Sequence, residues 1–458
     1  MSRNKRPDMT NGNITKTLIV LSAPIILSML LHTAFNIIDA IFIGRLSSDA
    51  LAAITLTFPI IFFIIAIGSG IRIGTTSLIA RYIGAKKIDE ARQVASHSII
   101  IGIILTIISI ISGLVFIDDI FSLMGADYNV ISLATEYINI IFYGIIIMYL
   151  SFILNGILHA EGDMKTPMKA LIIAVILNII LDPLLIFGIG PFPALGIKGA
   201  AIATVIARTL GLIYLIFNFI LNKPTVIPII HGFEYNQKII KRILKIGIPS
   251  SLSTASMSIS FIIITSFVAR FGSEAIAAFG AAGRIESIAA LPTLAIASVV
   301  ITMVSQNAGN KRYDRSRKTV KSAIKLVALA MILLTSILIS FPEIFIKIFS
   351  EDPTVISAGS EFLSIAPLGF LFMAIIMIIG SGFQGLGKGM PVLTITLTRL
   401  FVINIPLAYY LAFIKDWGLI GIWWSFVIAT IVTAIMSVVW FKRDMNKLIK
   451  KQIERNIN

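Results

Sequence analysis

Cysteine is absent from this sequence, which excludes a disulfide framework, a thiolate zinc cluster and a thiol nucleophile. Charge is also scarce. Asp, Glu, Lys and Arg make up 13% of the 458 residues, about half the share of a soluble domain. So few charges cannot cover a water-facing surface, and lipid must be the solvent for much of the chain. Histidine occurs only four times, at scattered positions. No pairing of histidines with carboxylates and no serine beside a base is visible, so an enzyme is not expected. Acidic residues number 23 against 38 basic ones. A basic excess can mark a nucleic-acid binder, but here Lys and Arg fall in short clusters between apolar runs, and no nucleic-acid partner is expected. The basic stretch with Arg3, Lys5, Arg6 and Lys16 is followed by no small-residue cleavage pattern. The apolar run from Leu18 to about Ile43 therefore reads as a retained helix and not a cleaved signal.

Long apolar runs are what the chain has in plenty. Crossing the hydrocarbon core takes roughly 20 mostly apolar residues in a helix. Spans are predicted at 18–41, 53–75, 95–116, 137–158, 168–188, 199–220, 246–269, 280–304, 322–342, 362–383, 391–413 and 420–441. If the N-terminus is cytoplasmic, the inward-facing segments carry 29 Lys and Arg and the outward-facing ones carry 5: Arg45, Lys198, Arg270, Lys347 and Lys415. That asymmetry is the positive-inside pattern, and one missed span would scramble it. The outward loops are acidic instead (Asp118, Asp119, Asp127, Glu351, Asp352). The expected class is an all-α integral membrane protein of twelve transmembrane helices in a prokaryotic inner membrane, with both termini cytoplasmic.

Displaced by 225 residues, the chain matches itself. Pro24 falls on Pro249, Arg45 on Arg270, Ser48 on Ser273 and Asp49 on Glu274. Gly84, Lys86, Asp89 and Arg92 fall on Gly309, Lys311, Asp314 and Arg317. Each half holds an even number of spans, so the halves are parallel repeats about an axis along the membrane normal, with substrate sites expected near the midplane between them. The domains read as a six-helix lobe at 1–220, a cytoplasmic linker at 221–245, a second six-helix lobe at 246–441 and a basic tail at 442–458.

An ionisable group inside a span is costly and is a functional hypothesis by default. Asp39, Asp182 and Glu286 are the acids well inside spans. Asp39 and Asp182 both lie in the outer halves of outward-running spans and can meet at similar depth. Asn178 precedes Asp182 by one helical turn and shares its face. Pro183 removes an amide from the helix ladder and frees a carbonyl. Two carboxylates in low dielectric cannot comfortably both stay charged, so the pair is suited to take up a proton or a small hard cation, Na+ included. The repeat positions of both aspartates lack an acid, which puts the ion site in the first half alone. Glu286 is expected to pair with nearby Arg284 or an external loop. Arg72 and Arg399 are expected to snorkel from inner span ends. Arg208 is one more scattered arginine, and His32 reads as a satisfied core histidine. Pro24 and Pro249 are expected to break their helices at matching points, Pro24 serving as a hinge. Asn36, Met148, Asn155 and Glu286 are the residues expected to line a substrate cavity.

Several stretches are characteristic. Pro24 and Asp39 are followed by Phe42, Gly44, Arg45, Leu46 and the run ALAA at Ala50–Ala53; VSQNAGNKR covers Val304–Arg312; AEGDMKTPM covers Ala160–Met168; and LNIILDP covers Leu177–Pro183. In order and spacing these resemble the multidrug and toxic compound extrusion (MATE) family over essentially the whole chain, with the fifth span similar to its DinF-like and archaeal branch. The resemblance implies two pseudo-symmetric six-helix lobes in a V-shaped arrangement, alternating access, and export of lipophilic or cationic compounds against inward H+ or Na+. Carried over by motif, Asp39, Asn178 and Asp182 match the family's cation site, with Thr204 and Tyr137 as accessory positions and Pro24 as the bending proline. The sequence departs from the NorM-like branch in having no acid at 246–269 or 362–383, and Phe35 stands where a tyrosine is expected near Asp39.

The leading expectation is a drug/cation antiporter without a cofactor. Its cargo would be small-molecule drugs or organic cations, its surroundings membrane lipid, and its state a monomer with no obligate protein partner. The alternative is a flippase for lipid-linked saccharides or lipids. Such proteins gather several cationic residues in a central cavity, whereas Arg72, Arg208, Arg284 and Arg399 look dispersed along this sequence.

Overall fold

A computed structural model describes residues 7–123, 127–229 and 232–457. Sixteen α-helices account for most of them, and no strand occurs among the described residues. An uninterrupted helix satisfies its own backbone, which is what lipid demands. In chain order they are α1 (Ile14–Gly44), α2 (Ser48–Gly84), α3 (Ile88–Leu123), α4 (Tyr128–Tyr143), α5 (Ile145–Glu161), α6 (Lys165–Phe187), α7 (Ile197–Asn222) and α8 (Gln237–Val268). After these come α9 (Ser273–Gly309), α10 (Tyr313–Ser340), α11 (Pro342–Ile346), α12 (Pro353–Ile365), α13 (Phe370–Gly385), α14 (Met390–Leu397), α15 (Ile405–Tyr409) and α16 (Gly418–Ile457). By length and composition, 11 helices of the described residues can cross a membrane, and 12 if the bent pair α4 and α5 is one span. That pair bends by 47° at Gly144, where a Cβ would come within 2.8 Å of Val205 Cγ2. The uniform fourth span of the sequence reading is therefore a broken one.

The internal repeat is written into the backbone. Lys86 and Lys311 both adopt left-handed φ, 58° and 56°. The next amide in each case closes back five residues, Lys87 N–H to Tyr82 O and Arg312 N–H to Asn307 O, the Schellman helix end. Gly162 and Gly387 repeat the motif at φ 84° and 78°, with Asp163 N–H on Leu158 O and Lys388 N–H on Phe383 O. The break at Gly144 has its partner in the 3-10 turn Ala366–Gly369. One close crossing also recurs. Thr76 Oγ1 donates to Gly156 O where α2 meets α5, and Ser305 Oγ donates to Gly385 O where α9 meets α13, both at 3.0 Å.

Contacts divide the chain into two compact units, Ala23–Ser251 and Met1–Ser22 with Leu252–Asn458. In this partition α1 and α8 each change unit within a few residues of Pro24 and Pro249. Neither proline breaks its helix; α1 and α8 run through them without interruption, which corrects the expectation of matched breaks. The first described residues bond the C-terminal unit: Asn307 Nδ2 donates to Met9 O at 3.0 Å, Arg312 Nη1 to Thr10 O at 2.7 Å, and Arg315 to Gly12 O. The start of α8 packs on α2 through glycines. A Cβ at Gly70 would meet Gly247 O at 2.5 Å, and one at Gly74 would meet Ile243 O at 2.6 Å. This is the small-residue packing by which helices approach closely in lipid.

A fully buried histidine ties down the chain ahead of α8. His97 in α3 has its Nδ1 2.7 Å from Gln93 O, its Nε2 accepts Asn236 N–H at 2.8 Å, and its ring lies 4.8 Å from that of Phe233. The linker expected at 221–245 is thus helical from Gln237 onward and held against the N-terminal unit before it.

Candidate functional site

The site lies in the unit Ala23–Ser251 and is built from α1, α4, α5, α6 and α7. α6 continues unbroken through Pro183, and Asn178 and Asp182 stand one turn apart on its inward face, each fully buried. Asn178 Nδ2 donates to Asp182 Oδ1 at 2.9 Å and reaches Thr204 Oγ1 of α7 at 3.4 Å. From α1, the Asp39 carboxyl stands beside Asp182, close enough for each group to feel the other. A carboxyl–carboxyl hydrogen bond needs one proton between the two groups. Without it Asp39 Oδ1, Asp182 Oδ2 and Asn178 Oδ1 are buried acceptors with no donor. Tyr137 of α4 is buried beside the pair, within electrostatic reach of both carboxyls.

Each aspartate at a helix centre costs about 2.5–3.5 kcal/mol on insertion scales. The arrangement offsets part of that cost with the Asn178 amide, which donates to Asp182. Three unpartnered oxygens, Asp39 Oδ1, Asn178 Oδ1 and Asp182 Oδ2, are acceptors of the hard oxygen type. Among the described residues no group of three or more His, Cys, Asp or Glu gathers, and the cluster holds two carboxylates.

Sequence reasoning missed Arg208. It lies one turn after Thr204 on α7, and its guanidinium is within electrostatic reach of Asp39, Tyr137 and His32. The signal was available: the spacing Thr204–Arg208 repeats that of Asn178–Asp182, so a residue already assigned to the site shares a helix face with the arginine. His32 also departs from expectation. It is exposed and in polar contact with Asn36 Nδ2 through its Nδ1 at 3.3 Å, so it is not a core histidine. His32, Asn36 and Asp39 fall on one face of α1.

The residues expected to line one cavity do not all gather. Asn36 and Met148 flank the carboxylate cluster. Asn155 lies two turns along α5 from Met148, its Oδ1 buried without a partner. Glu286 belongs to the other unit. There it borders a cavity with Thr293, Met331, Phe370, Met373 and Met377, and it faces Arg399. Arg399 is buried at 5% exposure and does not snorkel, while Arg284 is exposed, over the Phe349 ring at 5.8 Å. Among the described residues Glu286 forms no ion pair with Arg284, and the cation within its electrostatic reach is Arg399. That arginine sits in a π-helical stretch, Thr398–Asn404, whose counterpart in the first half is the regular helix α6. A π turn rotates the residues after it relative to those before, a form common at functional positions.

The family model described as MatE matches residues 24–184 and 249–410, two segments that begin 225 residues apart at Pro24 and Pro249. The chain belongs to the MatE family. It is 28% identical to the FAD transporter of Shewanella oneidensis, over 88% of this chain and 89% of that protein. To the probable multidrug resistance protein YoeA of Bacillus subtilis it is 26% identical, over 96% of each. To the multidrug export protein MepA of Staphylococcus aureus it is 28% identical, over 94% of each. Among solved structures it resembles a MATE protein in the bent conformation (TM-score 0.93, 30% identity, 99% of this chain and 100% of that one). It also resembles a MOP-superfamily transporter from Pyrococcus furiosus whose binding pocket is described as reversed in polarity (TM-score 0.92, 29% identity, 98% and 99%). This MatE member is thus a multi-pass membrane protein of a transporter family whose relatives are named multidrug export proteins.

Proposed function

We propose that this MatE protein is a secondary antiporter of the prokaryotic inner membrane, with both termini cytoplasmic. It exports lipophilic compounds in exchange for inward H+ or Na+. The observation that carries the reading is the juxtaposition of Asp39 and Asp182, two carboxyls from α1 and α6 that stand beside each other, with Asp182 held by Asn178. With a proton or cation between them the pair is satisfied. Without it the buried negative charge favours a cationic cargo. Ion and cargo then compete for one charge, which is the thermodynamic requirement for exchange, with a coupling free energy of about 1–3 kcal/mol typical. Pro24, where α1 passes from one unit to the other, is the natural place for a hinge.

Purified protein in proteoliposomes, loaded with a fluorescent lipophilic cation, tests this under an imposed proton gradient and then under a sodium gradient. Either gradient should drive export, and Asp39→Asn should abolish it in protein that still inserts and folds. Undiminished gradient-driven export by that variant would remove the mechanism. Because one relative is named a FAD transporter, FAD belongs among the cargoes assayed.

A further inference from the structure

The Arg208 guanidinium has a charge it cannot shed and five donors in a rigid fork. At membrane depth such a group costs about as much as a buried aspartate, and a carboxylate normally offsets it. Here it has none. Among the described residues no carboxylate lies within the 4.0 Å of an ion pair. Its hydrogen bond goes from Nη1 to the thioether sulfur of Met148 at 3.1 Å, a weak acceptor. The remaining donors have no partner among the described residues, although Asp39 stands close enough to be felt electrostatically.

The cluster has a closed floor and an open rim. Asn178 and Asp182 are sealed, whereas Asp39 and Arg208 are half-buried and His32 and Asn36 are exposed. The Asp182 carboxyl is thus out of solvent's reach, while the Asp39 carboxyl and the Arg208 guanidinium both keep partial exposure. Net charge and hydrogen-bond pairing together decide what fits there. Asp39, Asp182 and Arg208 sum to minus one, which a proton between the carboxyls cancels. A simple lipophilic cation also cancels it but leaves the guanidinium donors bare in low dielectric. A molecule with a basic amine and a carboxylate is neutral overall and leaves the net charge at minus one, but it alone partners both Asp39 and the guanidinium, since a carboxylate matches the guanidinium fork in bidentate fashion.

We infer that Arg208 is an anion subsite beside the carboxylate pair and that the favoured cargo is a lipophilic zwitterion, amine toward Asp39 and carboxylate on the Arg208 guanidinium. The inference rests on the exporter reading above and names its substrate class. The amine competes with the coupling proton at Asp39, so exchange is preserved, while the carboxylate end supplies selectivity.

A matched pair of rhodamine dyes separates the two ideas, one with a free carboxylate and the other its methyl ester. Both are loaded into proteoliposomes of the full chain under the gradient that drives export. The wild type should prefer the acid over the ester by roughly tenfold or more, the range expected for one charge-assisted hydrogen-bonded pair. Arg208→Gln should bring that ratio close to one, and Arg208→Lys should leave it between. Equal handling of the two dyes by the wild type, or preference for the ester, overturns the inference without any variant being needed. So does an unchanged ratio in Arg208→Gln, which would make Arg208 only an internal counter-charge. Export of the ester alone leaves the antiporter reading standing and removes this one, whereas export of neither dye nor the simple cation removes both.

Discussion

Asn178 Nδ2 donates to Asp182 Oδ1 at 2.9 Å across one turn of α6, and both residues are sealed from solvent. The same nitrogen reaches Thr204 on α7, so one amide sets the carboxylate's rotamer and ties two helices at the site. Removing it leaves a buried acceptor unmet, at about 1–3 kcal/mol. Asn178→Ala should lower the thermal midpoint in detergent and slow gradient-driven export at least tenfold. Wild-type values in both assays would show that the amide does not position Asp182.

Gly199 on α7 faces the backbone of α6, where an added Cβ would stand 2.3 Å from Leu185 O and 2.9 Å from Ile186 N. Backbone cannot move aside as a side chain can. Gly199→Ala should force apart the helices that carry Asp182, Thr204 and Arg208, at about 1–3 kcal/mol. Gly283→Ala, with nothing within 4 Å of its added Cβ, is the control and should hold or raise the melting midpoint. Equal melting of the two variants would contradict the close α6–α7 packing.

His97 holds the segment before α8 by accepting Asn236 N–H and packing on Phe233. His97→Ala removes both interactions and should speed hydrogen exchange at Asn236 and proteolysis around it. His97→Gln, whose side-chain oxygen can accept the same amide, should restore part of the protection. Unchanged exchange at Asn236 in His97→Ala would show that other contacts hold the segment.

Asp8 lies outside the membrane spans and folds the chain ahead of α1. The Thr10 hydroxyl donates to its carboxylate at 2.7 Å, and the Thr10 and Asn11 amides add 2.8 and 3.0 Å bonds. The Thr10 hydroxyl foremost, these donors pull its pKa from 3.8 to about 2. A depressed carboxyl contributes stability that is present above its unfolded pKa and lost as pH falls through the folded one. The turn should therefore loosen between about pH 4 and pH 2. Asp8→Asn should weaken the same turn at neutral pH, read as faster amide exchange at Thr10 and Asn11. Protection that survives in Asp8→Asn would contradict the carboxylate's role.

Much of the architecture arises from local properties. Apolar length sets the spans, the scarcity of charge makes lipid the solvent, and the 225-residue period reappears as paired helix ends at Lys86 and Lys311. That Asp39 and Asp182 could meet was also legible, because each falls near the same end of its span if the spans run in the same direction, as the sequence expectation has it. Rotation is a different matter. Sequence places Arg208 and Arg399 within their spans but does not say which face turns toward which neighbour. Arg208 therefore read as one arginine among several, and Arg399 as a snorkelling one.

Sequence by itself determined that the chain is a bundle of long apolar helices and which costly charges lie within them. Tertiary structure alone decided that Arg208 joins the aspartates without an ion-pair partner, that Glu286 answers to Arg399, and that α1 and α8 change unit near Pro24 and Pro249. The physical reason is that the cost of a charge in lipid is a one-body term written in composition. The partner that offsets it is a two-body term, fixed only when helices pack in a particular rotation and register.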